Sequence, residues 1–242
     1  MPNRRSSGGG TTLTAPLFQR VRNPGKSADF VDEVFRGNAR ARADFIEDFL
    51  TATLTPPTTF RQTGAPVQGM VANAANGLLS VAASAGAPEQ GGFHWGDALL
   101  IDSAKAFYIE FMVSLTAVAA NARMVFGLGS AYASTLDLVE KNAWFRFEGN
   151  SLRALCEVDD GTNDLDDRDT GRDLVAGVMT RLTIDGRDRT AIKFYVNDSL
   201  GASLAAPLLT GNLQPMAILH KDSGAATPGY VLDYYRVSWD RE

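Results

Sequence analysis

The sequence predicts an all-β protein built as an antiparallel sandwich or jelly roll, with an extended N-terminal arm and one or two short helices. Three observations carry this. Phe107, Ile109, Phe111, Val113 and Leu115 alternate with Tyr108, Glu110, Met112, Ser114 and Thr116, the period-2 pattern of a strand with one buried face. The closing segment Tyr230 to Trp239 is rich in β-branched and aromatic residues, and long enough to cross a sheet as its buried, central strand. Along the chain as a whole there are about a dozen short strands with turn signals every ~8–15 residues and almost no helical periodicity.

Residues 1–26 read as an extended arm. Residues 27–57 read as a helical lead-in. Its first helix is Ser27 to Arg36, capped by Ser27, and its second is about Ala41 to Leu50, using Phe45, Ile46, Phe49 and Leu50 on one side, with Pro56-Pro57 beyond it. Residues 58–242 form the sandwich. Val67 to Ala72 and Gly77 to Ala83 are strands joined by the turn sequence NAAN, and residues 84–96 are a Gly/Ala-rich loop. Ala98 to Asp102, Lys105 to Val118 and Met124 to Leu128 are strands, and Ser134 to Lys141 makes one or two helical turns. Asn142 to Glu148 and Leu152 to Asp159 form a hairpin about Gly149-Asn150-Ser151. Asp160 to Asp173 is a polar loop, followed by a strand at Val175 to Asp185. Ile192, Phe194 and Val196 then alternate with polar partners up to an Asn197-Asp198 turn, from which Leu200 to Leu204 returns.

The chain is 45% apolar, the fraction of an ordinary globular protein, so a sizeable core can be buried. No apolar run is long enough for a transmembrane helix, and the N-terminus lacks the apolar region of a secretory signal. Cys156, the one cysteine, excludes an internal disulfide; on the alternating face Leu152, Ala154, Cys156, Val158 it reads as a small buried hydrophobe, consistent with synthesis in a reducing cytoplasm. The net charge of −5 is uneven. Residues 1–42 hold eight basic and three acidic residues, so they carry +5 and the rest carries −10. A basic arm of this kind, with Arg4, Arg5, Arg20, Arg22 and Lys26, is either a solvated tail or a contact for something acidic, whether nucleic acid or a protein surface.

Residues that could carry chemistry are few. Asp159, Asp160, Asp164, Asp166, Asp167 and Asp169 form a dense acidic stretch: a solvated loop, a Ca²⁺ site or a contact for a basic partner. It does not fit the EF-hand template, because with Asp164 first, Arg168 falls at the third ligand and Val175 at position 12. With two histidines, His94 and His220, and neither HExxH nor CxxC, no zinc site is evident. No G-x-S-x-G is present, and Gly127-Leu-Gly129 lacks the third glycine of a nucleotide loop. Glycoside hydrolysis needs paired carboxylates, whereas the long strands carry Glu110, Glu157 and Asp233 singly. His94 and Trp95 in the glycine-rich loop, or Tyr230, Tyr234 and Tyr235 on the last strand, are the candidates for stacking on sugars; Trp144 and Trp239 read as core.

Several segments together resemble tailed-phage structural proteins with a concanavalin A-like (laminin G-like) jelly roll: RGNARARADFIEDFL, NAWFRFEGNS, EVDDGT, AIKFYVND and PMAILHKDSG…YVLDYYRVSWDRE, over roughly Gly37 to Glu242. The resemblance implies a non-enzymatic head decoration (cement) protein on the capsid exterior of a virion, made in the host cytoplasm. Its implied partners are the major capsid protein and neighbouring copies of itself, as a homo-oligomer with a trimer the analogy, and neither nucleic acid nor membrane. No catalytic residue is carried over and no cofactor is implied. The alternative is a lectin-like module of a tail or fibre that binds glycans; a glycan-degrading enzyme is the third reading.

Overall fold

The computed structural model describes residues 42–240, apart from 52, 72–76, 87, 189 and 206–208. The arm, with Arg4, Arg5, Arg20, Arg22 and Lys26, and the helix expected at Ser27 to Arg36 lie outside the described residues. The strands are β1 (Arg42–Glu47), β2 (Thr59–Thr63), β3 (Val67–Met70), β4 (Leu79–Ala82), β5 (Glu89–His94), β6 (Ile101–Asp102), β7 (Phe107–Ala117), β8 (Ala122–Gly129), β9 (Asn142–Glu148), β10 (Arg153–Asp159), β11 (Asp164–Asp173), β12 (Thr180–Asp185), β13 (Ala191–Val196), β14 (Ser199–Ala205), β15 (Asn212–Lys221) and β16 (Gly229–Asp240). Among the described residues one 3-10 turn, Leu136–Leu138, is the whole helical content, and no helix is long and apolar enough to cross a membrane.

All pairings are antiparallel, in two eight-stranded sheets. The first runs β14-β13-β12-β7-β16-β4-β3, with β1 also on β16; the second runs β11-β10-β9-β8-β15-β5-β2, with β6 also on β15. This is the concanavalin A-like sandwich the sequence predicts, with its last strand central. The core lies between the sheets. Phe107, Ile109, Phe111, Val113 and Leu115 of β7 face Phe126, Phe145 and Phe147 of the second sheet, all at most 2% exposed. The Asn197-Asp198 turn is confirmed in detail: both residues have positive φ, 48° and 65°, which matches the twist of a two-residue hairpin.

Aromatic residues of β16 illustrate how packing overrides strict alternation. Tyr230 and Tyr235 are five positions apart, which places them on opposite faces of a regular strand. A register shift between Leu232 and Tyr234 inserts one residue and inverts the phase, so both rings are buried. The Tyr235 ring stacks on Phe93 at 4.6 Å, and its hydroxyl accepts from Trp95 Nε1 at 2.8 Å and meets Thr58 Oγ1. The Tyr230 hydroxyl crosses between the sheets to the carbonyl of Ala217 at 2.7 Å.

Four segments differ from their sequence reading. The helix expected at Ala41 to Leu50 is strand β1, paired with β16 from Arg42↔Asp240 to Glu47↔Tyr235. A ten-residue helix is marginal by itself, and here Phe45 gains an edge-on contact with Trp95 at 5.2 Å. The expected loop 84–96 contains β5, whose glycines serve close approach: a Cβ on Gly92 (φ +132°) falls 2.0 Å from the Ala217 oxygen. The expected polar loop 160–173 is mostly β11, the outermost strand of the second sheet, where charged side chains stay in water and discourage pairing with another chain. The strand expected from Val175 starts only at Thr180.

Candidate functional site

Strand β9 reads N-A-W-F-R-F-E. Ala143, Phe145 and Phe147 enter the core, which leaves Asn142, Trp144, Arg146 and Glu148 on the outer face of the second sheet. Cross-strand register continues that face: Trp144 lies opposite Glu157 on β10 and Gly127 on β8, Gly127 opposite Met216, and Met216 opposite His94. The middle of the face is apolar. Val125, Trp144, Met216 and Ile218 form a second hydrophobic cluster, each at 0% exposure.

What buries an outward-facing cluster is the β8–β9 connection, residues 130–141. It folds back over the sheet and sets Leu136, Val139 and Tyr132 on these side chains. Its base is closed by Ser130 N–H to the Lys141 carbonyl at 2.8 Å. Along its length the Tyr132 N–H donates to Asp97 Oδ1 at 2.9 Å, Gln90 Nε2 donates to the Ser134 carbonyl, and the Arg61 guanidinium sits 4.3 Å above the Tyr132 ring. Gly127 makes the floor possible, since a Cβ there falls 2.3 Å from the Ala143 oxygen. The one or two helical turns expected at Ser134 to Lys141 are a single 3-10 turn, Leu136–Leu138, which covers a face of the sheet.

Charge on this face converges on Arg146, whose side chain is 11% exposed. It pairs with Glu157, Glu148 and Asp137, each at 3.0 Å, and with Asp167 at 3.9 Å. Burial disfavours its charge, but Glu157, Glu148 and Asp137 outweigh that and hold the guanidinium above its ordinary range. Glu157, 4% exposed, also accepts from Asn142 Nδ2 at 2.6 Å; burial raises its carboxyl against the opposing pulls of Trp144, Arg146 and Asn142. Arg123 is a second bridge, to Asp137, Glu148 and Asp222.

The six aspartates singled out from sequence do not form one site. Asp159 and Asp160 cap the turn that follows, accepting from Gly161 N–H and from Thr162 and Asn163 N–H respectively. Asp169 is bidentate to Arg153 at 2.7 and 2.8 Å, and Asp167 lies toward Arg146. Only Asp164 and Asp166 converge, and their third partner is Glu157, which the sequence reading set aside as a lone strand carboxylate; one oxygen from each of the three lies within 4.8 Å of the others. Burial and the neighbouring Asp166 push Asp164 up to about 7.

The expected glycan-stacking pair is corrected. Trp95 is 2% exposed, is committed to Tyr235, and packs edge-on against Phe45 and Trp239. His94 is 8% exposed beneath Tyr132, with burial depressing its pKa against the pull of Asp97. Tyr230 and Tyr235 are core. Tyr234 reaches the outer face of the first sheet, where its hydroxyl and that of Tyr108 donate to the two oxygens of Glu110 at 2.6 and 2.7 Å. Trp144 and Trp239 are buried as expected, and the Cys156 thiol is buried, donates to the Arg168 carbonyl at 3.2 Å and is pushed up to about 12 by burial.

No family model matches the sequence, and no curated protein matches it. Solved structures do share the fold. A protein of unknown function from Shewanella oneidensis MR-1 superposes with a TM-score of 0.61 over 90% of this chain and 97% of its own, at 10% identity. A β-glucanase from Bacillus licheniformis gives 0.56 over 83% and 99%, at 13% identity. The carbohydrate recognition domain of Emp46p gives 0.50 over 75% and 88%, at 12% identity. At such identities the likeness is one of fold.

Proposed function

We propose that this protein is a non-enzymatic structural component of a virion, a sandwich that attaches to a phage head through its basic N-terminal arm. The observation that carries the non-catalytic half is the covered outer face of the second sheet. Residues 130–141 fill its centre with Tyr132, Leu136 and Val139, and Arg146 and Arg123 engage its carboxylates Glu157, Glu148 and Asp137. A hydrolase needs one carboxylate free to give a proton and another free to attack or activate water; Glu157 is held by Arg146 and Asn142. The attachment half rests on the +5 charge of residues 1–42 against an acidic remainder, and on the resemblance to phage decoration proteins. Many copies, each held weakly through an arm, give tight attachment collectively. Contact between neighbouring copies, with a trimer as the expected unit, belongs to the same reading.

The second reading is a glycan-binding module of a tail or fibre. It is favoured by the fold shared with a β-glucanase and a carbohydrate recognition domain. Cosedimentation with assembled phage heads, using full-length protein and a version lacking residues 1–26, separates the two. Stoichiometric binding by the full-length protein and none by the truncated one supports the anchor. Failure of both to bind heads, with retention of a glycan on an array, overturns it in favour of the second reading.

A further inference from the structure

We propose that residues 42–49 are exchanged between copies of this chain, so that β1 of one copy pairs with β16 of its neighbour. Among the described residues β1 has a partner on one edge only, β16. The segment is a self-contained plug. Ala43 and Phe45 pack on the core from the strand, and Phe49 follows them, 1% exposed, with its ring 6.1 Å from Phe93 and 6.3 Å from Tyr235. These contacts are made with the body of the sandwich, and the identical body of a neighbour supplies them equally well. Without β1, β16 stays paired to β7 and β4, and its free edge is a template that a second β1 fills in the same register.

The two arrangements differ in the course of the link, residues 50–57. Here it leaves Tyr235 and returns to it: Phe49 lies against the Tyr235 ring, and Thr58 Oγ1 meets the Tyr235 hydroxyl. Drawn out, eight residues span about 26–29 Å, enough to carry the plug to an adjacent molecule. The link reads L-T-A-T-L-T-P-P, with no glycine, asparagine or aspartate for a tight reversal. Threonine favours extended backbone, and each proline biases the residue before it the same way. Its return is secured by one turn, Thr58 N–H to the Thr55 carbonyl at 3.0 Å, and by the Glu47 carboxylate, which accepts from the Thr55 N–H. The surface at the crossing point fits a second copy. Ile46 and Leu50 are 49% and 62% exposed, one on the outer face of β1 and one at the start of the link. A lone chain leaves them in water, whereas two links that cross lie side by side and cover them. The exchange takes place between free copies and does not depend on attachment to a shell.

A disulfide between the two strands tests it. Asp44 and Ser238 are opposite in register, and Ser238 Oγ donates to the Asp44 carboxylate. Full-length D44C/S238C, with C156S removing the natural cysteine, is oxidised under native conditions and run on a denaturing gel without reductant. Exchange gives linked species of two or more chains that reductant returns to one, and the number of chains linked is the number of copies in the ring. A disulfide confined to single chains overturns the proposal, because β1 is then paired with its own β16. Wild-type protein gives a reading that does not depend on the variant folding: light scattering should show a mass of at least two chains, and a monomer overturns exchange. P56G/P57G, which frees the link to reverse, should raise the monomer fraction severalfold, and an unchanged fraction also overturns it.

Discussion

Replacing Arg146 with methionine keeps most of the side-chain volume and removes the charge that four carboxylates share. Two of its close partners, Asp137 and Glu148, are 49% and 36% exposed, so water takes over much of what they lose. The side chain of Glu157 is 6% exposed and cannot recover in that way. Breaking a buried pair by deleting one partner costs about 3–5 kcal/mol, and the residual exposure of Arg146 places this variant near the low end, about 3 kcal/mol. For a domain of this size that corresponds to a fall in Tm of about 6–12 °C. Urea denaturation at neutral pH measures it as a lower midpoint at unchanged slope. The double variant R146M/E157Q isolates the cause, because removing the stranded charge should restore part of the loss, with a coupling of about 1–3 kcal/mol. A loss in R146M below about 1 kcal/mol, the scale of an exposed ion pair, would refute the account of Arg146 as the buried electrostatic centre of this face.

Four further outcomes follow from the same structure. G92A, whose Cβ would meet the Ala217 carbonyl at 2.0 Å, should cost about 4 kcal/mol or more, or abolish soluble expression, since neither backbone can yield without breaking the β5–β15 pairing. Y230F should cost about 1 kcal/mol in the same urea assay, the value of one buried hydrogen bond, because only the link to Ala217 is lost. His94 and His220 are both depressed below their ordinary value of 6.5 by burial, against opposing pulls from Asp97 and Asp222, with Arg61 and Arg123 adding to the depression. The unfolded chain therefore takes up protons first, so stability is complete above about pH 6.5 and falls as the pH drops toward the folded values, and H94Q/H220Q should flatten that slope in a Tm-against-pH series. Cys156 should react with a thiol reagent orders of magnitude more slowly in native protein than in denaturant, as its burial and raised pKa dictate.

The sheet architecture was legible wherever a strand has one wet and one dry face. β7, β13 and the β9–β10 hairpin announce themselves by alternation, and the Asn197-Asp198 turn by its residues. β1, β5 and β11 were hidden for three different reasons. β1 carries Phe45, Ile46, Phe49 and Leu50 at spacings that also fit a helix, and only its long-range partner β16 decides between them. β5 is glycine-rich because its neighbours approach closely, and glycine reads as a loop signal. β11 is exposed on nearly all its side chains, so it has no apolar rhythm; Thr170 is its one buried residue. That third miss concealed the carboxylate cluster, since Glu157 meets Asp164 and Asp166 only if the acidic stretch runs alongside β10. The covering segment 130–141 was equally invisible, because a short connection with scattered apolar residues does not say which surface it will lie on.

The pairing of β1 with β16 has a mechanical side. Arg42 lies opposite Asp240, so the chain enters the sheet and completes its last strand at the same corner. A load drawing those two points apart meets the hydrogen-bonded pairs one after another, as a zipper does, and not all together as in a shear. β16 meanwhile stays paired to β7 along its length and to β4 at Gly229 to Leu232. β1 is then a yielding link that lengthens the tether by up to six residues of slack, with Ala43 and Phe45 leaving the core as it peels. In a single-molecule pull from both ends, the first event is a weak, gradual extension, and abrupt rupture of the sandwich comes only after it.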